Sequence, residues 1–354
     1  MASKKEQITF TRLCAVSRDL IYLATTPDDQ ELGTPFTAIC QYNAGEWSYE
    51  TFDISLSSMT LFKAPDKDYR VLYLLDENGV AINFDTKERE VILSDRSPLW
   101  KDYRLGYLQK IRQIGAHLYA CGDGGQVYRR EHDATWQFVD KAFLDGPDAL
   151  LNPKSELRLL SRLMNQGENL TPENLARAKQ LREANASNLL WDFSGLSEDS
   201  IYFASEKKQV YWFDGKTIHA LPDKTDRGLI SILAKSEDVV YAAGRDGTFL
   251  VGNHKSSFRE IDAFRGLPGW PNINGMALFQ DRLYMSSFAD PRGLLVLNGD
   301  QIEQVHCDLT PDIKDVSAVA AVTDALWVMG TKDLLRFDGS TWERIHFPAN
   351  DPVR

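Results

Sequence analysis

Ile201-Tyr202-Phe203-Ala204, followed by Phe213-Asp214-Gly215-Lys216-Thr217-Ile218, is the stretch from which the fold is read. An aliphatic residue, an aromatic and then small or apolar residues suit a strand buried on both faces. The aromatic-Asp-Gly sequence suits a tight hairpin, because Asp and Gly tolerate the positive φ that such turns need. The first pattern recurs at Ile21-Tyr22-Leu23-Ala24, Leu72-Tyr73-Leu74-Leu75, Leu118-Tyr119-Ala120-Cys121, Val240-Tyr241-Ala242-Ala243, Leu283-Tyr284-Met285-Ser286 and Leu326-Trp327-Val328-Met329. The aromatic positions are separated by 51, 46, 83, 39, 43 and 43 residues. Apart from one doubled gap, this is the period of about 40–50 residues that propeller blades show.

Each anchor is followed by a turn signal and another short strand, as at Asp76-Glu77-Asn78-Gly79, Asp123-Gly124-Gly125 and Arg245-Asp246-Gly247. The second hairpin recurs at Leu297–Ile302 and Phe337–Trp342, with looser versions at Tyr42–Trp47 and His132–Trp136. Upstream of the anchors lie short apolar strands such as Ile230–Ala234 and Val316–Val322, whose small and β-branched residues suit a crowded axis. Each unit therefore reads as four strands. The aromatic-Asp-Gly-x-x-Trp hairpin resembles a pattern common among β-propeller proteins of the broad WD40-like and kelch-like kind, and the resemblance covers nearly the whole chain. It implies architecture and no narrower family: Trp191-Asp192 falls near the start of a unit, and Gly124-Gly125 is a lone double glycine. The expectation is an all-β, seven-bladed propeller of four-stranded antiparallel blades, one domain over residues 1–354. A two-sheet sandwich shares the alternating strands but not the blade-like spacing.

The doubled gap has its own reading. Residues 145–187 carry almost no β-branched residues, and Leu157, Leu160, Leu163 and Met164 recur at helical spacing. Leu175, Ala178 and Leu181 do the same in a second segment, opened by Thr171-Pro172-Glu173 as a cap with Pro at the first helical position. Gly167 separates the two, which predicts a helical hairpin inserted between blades 3 and 4. Taking 145–187 out of the gap of 83 leaves 40 residues, one ordinary blade.

Propeller topology puts the links between blades on the same face as the turns joining second and third strands. That face therefore collects the insertion, the charged turn holding Asp28, Asp29 and Glu31, and the links Ser97–Tyr103 and Leu267–Pro271. Elaborated loops on a rigid scaffold are where binding function resides. Trp100 and Trp270 are the expected centre of a partner-binding site, joined by Tyr103, Asp123 and Arg245, with the three acidic residues supplying complementarity to a basic partner.

Composition sets the remaining bounds. Of the 354 residues 43% are hydrophobic and 26% charged, enough apolar material for a large core, and the net charge is −11. That sign opposes nucleic acid and anionic membrane and favours basic protein partners. The polar start Met1–Gln7 precedes no apolar signal stretch, so the expected location is cytoplasmic and the expected state a monomer. Cys14, Cys40, Cys121 and Cys307 lie far apart, and the six histidines show no ligand spacing. No H-E-x-x-H, G-x-S-x-G or P-loop sequence occurs, and no cofactor or metal is called for. The reading is a non-enzymatic protein-binding propeller, with an inhibitor or immunity protein against a bacterial toxin as the specific form. A propeller enzyme with metal or acid/base groups in its channel and a multi-partner scaffold are the alternatives, since channel sites assembled from several blades leave no local motif.

Overall fold

A computed structural model describes residues 7–31, 34–92, 106–140, 171–173, 176, 189–206, 208–222 and 224–351. It shows a seven-bladed β-propeller with seven four-stranded antiparallel sheets, each formed by strands consecutive in sequence. Blade 1 comprises β1 (Ile8–Ala15), β2 (Leu20–Pro27), β3 (Thr37–Asn43) and β4 (Glu46–Phe52). Blade 2 comprises β5 (Leu56–Phe62), β6 (Val71–Asp76), β7 (Val80–Asn83) and β8 (Arg89–Val91), and blade 3 comprises β9 (Leu108–Ile114), β10 (His117–Gly122), β11 (Val127–Arg130) and β12 (Trp136–Phe138). Blade 4 comprises β13 (Leu190–Ser197), β14 (Ser200–Ser205), β15 (Val210–Phe213) and β16 (Ile218–Ala220), and blade 7 comprises β25 (Ala318–Val322), β26 (Ala325–Met329), β27 (Leu334–Phe337) and β28 (Trp342–Arg344). First strands adjoin one another around the ring, with β1 against β25.

All seven anchors lie on second strands, and the packing explains their composition. In β14, Ile201 and Phe203 join the apolar cluster shared with blade 3, whereas Tyr202 and Ala204 join that shared with blade 5. In β26, Leu326 and Val328 face blade 6, and Trp327 and Met329 face blade 1. The aliphatic residue thus meets the preceding blade and the aromatic meets the following one. A strand covered on both faces keeps the period of two in its contacts but loses it in polarity, because both faces are apolar. The aromatic tips then find polar partners at the interface: Tyr119 Oη donates to Glu198 at 3.1 Å, and Trp327 Nε1 donates to the Ser17 carbonyl at 3.1 Å.

The ring closes through side chains and single backbone bonds. Phe10 N donates to the Thr331 carbonyl at 2.9 Å and Ile8 N to Asn350 Oδ1 at 2.9 Å. Phe347 lies edge-on to both Phe10 and Trp47, at 5.6 and 4.7 Å between ring centres. Lys332 reaches from blade 7 to the Ile8 carbonyl and to Asp28.

The Asp-Gly hairpins have a local cause. Asp214 Oδ1 accepts from Lys216 N and Thr217 N at 2.9 and 2.7 Å, and Asp338 Oδ1 accepts from Ser340 N and Thr341 N at 2.9 and 2.8 Å. These side-chain turns fix the link between third and fourth strands, with Gly215 and Gly339 at φ +89° and +100° supplying the left-handed residue. The bonds to the backbone N–H groups of Thr341 and Ser340 lower the Asp338 carboxyl to about 2.

The helical hairpin expected over 145–187 is not supported. Only residues 171–173 and 176 of that stretch are described, with helical backbone at Pro172, Glu173 and Ala176, and the rest lies outside the described residues. Every complete regular element described is a strand except the single 3-10 turn Asp123–Gly125.

Polar latches tie neighbouring blades near their outer strands. Glu90 of blade 2 accepts two bonds from Arg130 of blade 3, both 2.7 Å, and one from Trp136 Nε1 at 2.9 Å, with the two charged side chains only 10% and 14% exposed. Replacing Glu90 with Ala leaves the Arg130 guanidinium uncompensated, and a loss of about 3–5 kcal/mol in the urea unfolding free energy is expected. Between blades 4 and 5, the His254 ring stacks on Trp212 at 3.9 Å, and its Nδ1 lies 2.6 Å from Tyr202 Oη. Desolvation, helped by the charge of Lys255, lowers the His254 pKa from 6.5. The folded state then binds fewer protons than the unfolded chain just below pH 6.5, so the contribution of His254 is complete above that pH and is lost as pH falls through it. In His254→Phe the thermal midpoint is expected to vary less between about pH 7 and 5 than in the wild type.

Candidate functional site

The turns between second and third strands converge with the inter-blade links on one face, and among the described residues a braced surface lies there over blades 5 and 6. Blade 5 comprises β17 (Leu229–Ala234), β18 (Val240–Gly244), β19 (Phe249–Asn253) and β20 (Ser257–Glu260); blade 6 comprises β21 (Ile273–Phe279), β22 (Arg282–Ser287), β23 (Gly293–Asn298) and β24 (Gln301–Gln304). The turn after β18 is held at both ends. Arg245 N donates to the Gly228 carbonyl at 3.0 Å, Asp246 N to Asn272 Oδ1 at 2.8 Å, and Gly247 N to the Pro271 carbonyl at 2.9 Å.

This turn seats the indole of Trp270. Gly247 has φ +70°, and a Cβ added there would lie 2.7 Å from Trp270 Cε3. The ring therefore rests on bare backbone while Trp270 stays 60% exposed. Gly269 packs against the blade 6 turn in the same way, a Cβ on it falling 2.5 Å from the Asp290 carbonyl. Phe288, on that blade 6 turn, is 45% exposed. Two large aromatic side chains thus stand at the surface of adjoining blades on a braced backbone.

Arg245 begins the same turn, two residues before Gly247, and is held toward blade 4. Its Nε and Nη2 donate to Glu206 Oε1 and Oε2 at 3.0 and 3.3 Å, and Glu206 also accepts from Trp191 Nε1 at 2.6 Å. Arg227 Nη1 donates to the Asp246 carbonyl at 3.0 Å. Aromatic and arginine side chains with little freedom left to lose are the composition of a protein-docking surface.

The other expected site residues are distributed differently. Asp28 binds Lys332 and accepts from Thr9 Oγ1 at 2.8 Å, so it belongs to the ring closure. The hydrogen bond from Lys332 lowers its pKa. Asp29 and Glu31 are exposed on the same turn of blade 1. Asp123 is buried and accepts from Tyr107 N at 2.9 Å and Gln109 Nε2 at 3.2 Å, tying the turn after the third anchor to the strand that begins its blade. Trp100 and Tyr103 lie outside the described residues. The structure therefore puts Arg245 and the Gly247 seat of Trp270 on one turn and sets the acidic residues at blades 1 and 3. Asp133, Asp214 and Asp338 lie on the opposite face, where they cap their own turns.

Phe288 and Arg227 were not read from the sequence as site residues. The signal for Phe288 is an aromatic placed immediately after the second strand of blade 6, where the other units carry polar or small residues. Arg227 has no comparable signal, since its role depends on the fold placing it under the Asp246 carbonyl. Among the described residues no three His, Cys, Asp or Glu side chains converge as metal ligands.

Comparison with known proteins agrees with the architecture. The chain is 22% identical to the immune protein Tsi7 of Pseudomonas aeruginosa, over 97% of this chain and 99% of that one. No family model matches the chain. Among solved structures, the WD40 β-propeller domain of Doa1 aligns with a TM-score of 0.57 at 9% identity, covering 94% of this chain and 92% of that one. YCF48 bound to a D1 peptide aligns with a TM-score of 0.59 at 11% identity, covering 97% and 94%. YCF48 from Cyanidioschyzon merolae gives 0.59 at 13% identity, covering 96% of each chain.

Gly247 is the residue on which the site geometry turns. In Gly247→Ala the added methyl displaces the Trp270 ring and strains a left-handed backbone, a cost of about 1 kcal/mol or more. The expected result is a changed tryptophan emission spectrum relative to wild type. The same substitution made in a Trp270→Phe background should leave the emission unchanged, and an equal change in both backgrounds would contradict the seating of the indole.

Proposed function

We propose that this protein is a non-enzymatic binding protein of the immunity type, which inhibits a protein toxin by docking it on the face that carries Trp270 and Arg245. The observation that carries the reading is the exposed Trp270 indole braced on Gly247, in the turn that Arg245 begins. Such a surface is already ordered before it meets a partner, which reduces the entropy lost on binding. The full-length likeness to an immune protein supports the class, and a propeller of similar fold holding a peptide supports a protein partner. Asp29 and Glu31, exposed on the same face, give it acidic groups suited to a basic partner. The protein acts as a monomer in the cytoplasm, where one face of the ring suffices for a one-to-one complex.

The test is affinity capture from the native cell with identification of bound proteins, using wild type and Trp270→Ala/Arg245→Ala in parallel. One stoichiometric partner is expected in the wild-type sample, and truncating two hot-spot residues should weaken it by at least about 2 kcal/mol, roughly thirtyfold. An unchanged yield from the double variant, with its thermal midpoint also unchanged, would move the docking surface elsewhere. A partner whose toxicity is unaffected by coexpression of the wild-type protein would refute the immunity function.

A further inference from the structure

The seven first strands line the central channel, and their register gives it one layer of equivalent positions. Arg12, Ser58, Lys110, Asp192, Ser231, Gly275 and Ala318 each pair with the residue two places beyond the anchor aromatic of their own blade. In six of the seven blades a β-bulge comes just before this position, at Thr11, Ser57, Gln109, Trp191, Ile230 and Asn274. Bulges of this kind re-aim side chains. Each charged member leans onto the next blade: Arg12 Nε donates to the Ser57 carbonyl at 2.6 Å, Lys110 Nζ lies 3.6 Å from Asp192, and Asp192 Oδ2 accepts from Ile232 N at 3.3 Å.

The charge of this lining runs against that of the molecule. The net charge of the chain is −11, yet the charged residues of the seven first strands are Arg12, Lys110, Arg112 and Asp192, three cations and one carboxylate. Arg112 Nη2 lies 2.9 Å from Asp192, so the single carboxylate is shared by Arg112 and Lys110. Among the described residues no carboxylate pairs with Arg12, whose bonds go to the carbonyls of Ser57 and Thr11.

Solvent reaches these groups although protein surrounds them, as expected for side chains that line a channel. Arg12 is exposed and the Lys110 side chain 34% exposed, yet enclosure lowers the pKa of Arg12. Asp192 raises the Lys110 pKa, but enclosure and the like charges of Arg112 and Arg12 outweigh it, and the net shift is downward. Cys14 and Cys121 add no counter-charge, since burial pushes both thiols up, to about 12 for Cys14. Gly275 and Ala318, both half-buried, add no charge to the layer. An enclosed excess of positive charge with solvent access is an environment that stabilises an anion.

We infer that this layer of the central channel is an oxyanion site, in which Arg12 and Lys110 bind a small phosphate or carboxylate group. Blade 2 lies between the two cations, and its member of the layer, Ser58, is uncharged and buried. The site is separate from the Trp270 face and does not rest on the docking function.

Isothermal titration of the full chain at low salt with inorganic phosphate, and separately with pyrophosphate, tests this. Saturable binding to one site is expected, weakened roughly tenfold or more in Lys110→Met, as for the loss of one charge-assisted contact. Lys110→Arg retains the charge and should retain binding. Arg12→Gln should weaken binding to a similar degree, while Arg292→Gln, which removes an exposed arginine outside the channel, should not change it. Absence of saturable binding to both anions overturns the site. So does equal weakening in Arg292→Gln, which would show that net charge alone is being read.

Discussion

Each blade of this protein has two apolar faces and no means of covering either by itself, and the rest of the structure depends on that constraint. The second strand lies mid-sheet with a neighbouring blade on each side. Its alternate residues are therefore divided between two interfaces, seen in Ile201 and Phe203 against Tyr202 and Ala204. The hydrophobic core is distributed as seven such interfaces around the ring. The arrangement is stable only if the last interface forms, and Trp327 packed with Phe10, Ile21 and Tyr42 forms it. Burial of large aromatic surface supplies the drive, and the indole N–H bonded to the Ser17 carbonyl removes the cost of a buried donor.

The same closure reassigns charged residues that look functional in isolation. Asp28 sits in an acidic, elaborated turn, but its carboxylate is committed to Lys332 across the seam between blades 7 and 1. Asp123 is likewise taken up by the strand entering its own blade. Asp214 and Asp338 of the Asp-Gly hairpins also cap their own backbones without reference to any partner. Net charge alone therefore does not locate a docking face here.

Rigidity links the ring to both proposed sites. The turn bearing Arg245 and Gly247 is fixed by bonds to two inter-blade links, so the surface that presents Trp270 inherits the order of blades 5 and 6. In the channel, the bulged first strands hold charged groups at one level around the axis. The inward layer is a consequence of register, and only the ring closure makes positions from blades 1, 3 and 4 face a common space.

The repeated aliphatic-aromatic run by itself determined the strand content, the seven units and the position of each anchor, because burial on both faces leaves a local, polarity-based trace in every copy. The Asp-Gly turns were equally legible, since their stabilising bonds span only two or three residues. What the tertiary structure decided was which polar groups meet. Arg245 with Glu206, Trp270 on Gly247, and Lys110 with Asp192 join residues from 23 to 82 positions apart. Contacts at that range carry no periodic signature. They arise because ring closure brings blade edges, turns and inner strands to fixed places, and that geometry separates the braced Arg245 and Trp270 from acidic residues occupied in holding the ring together.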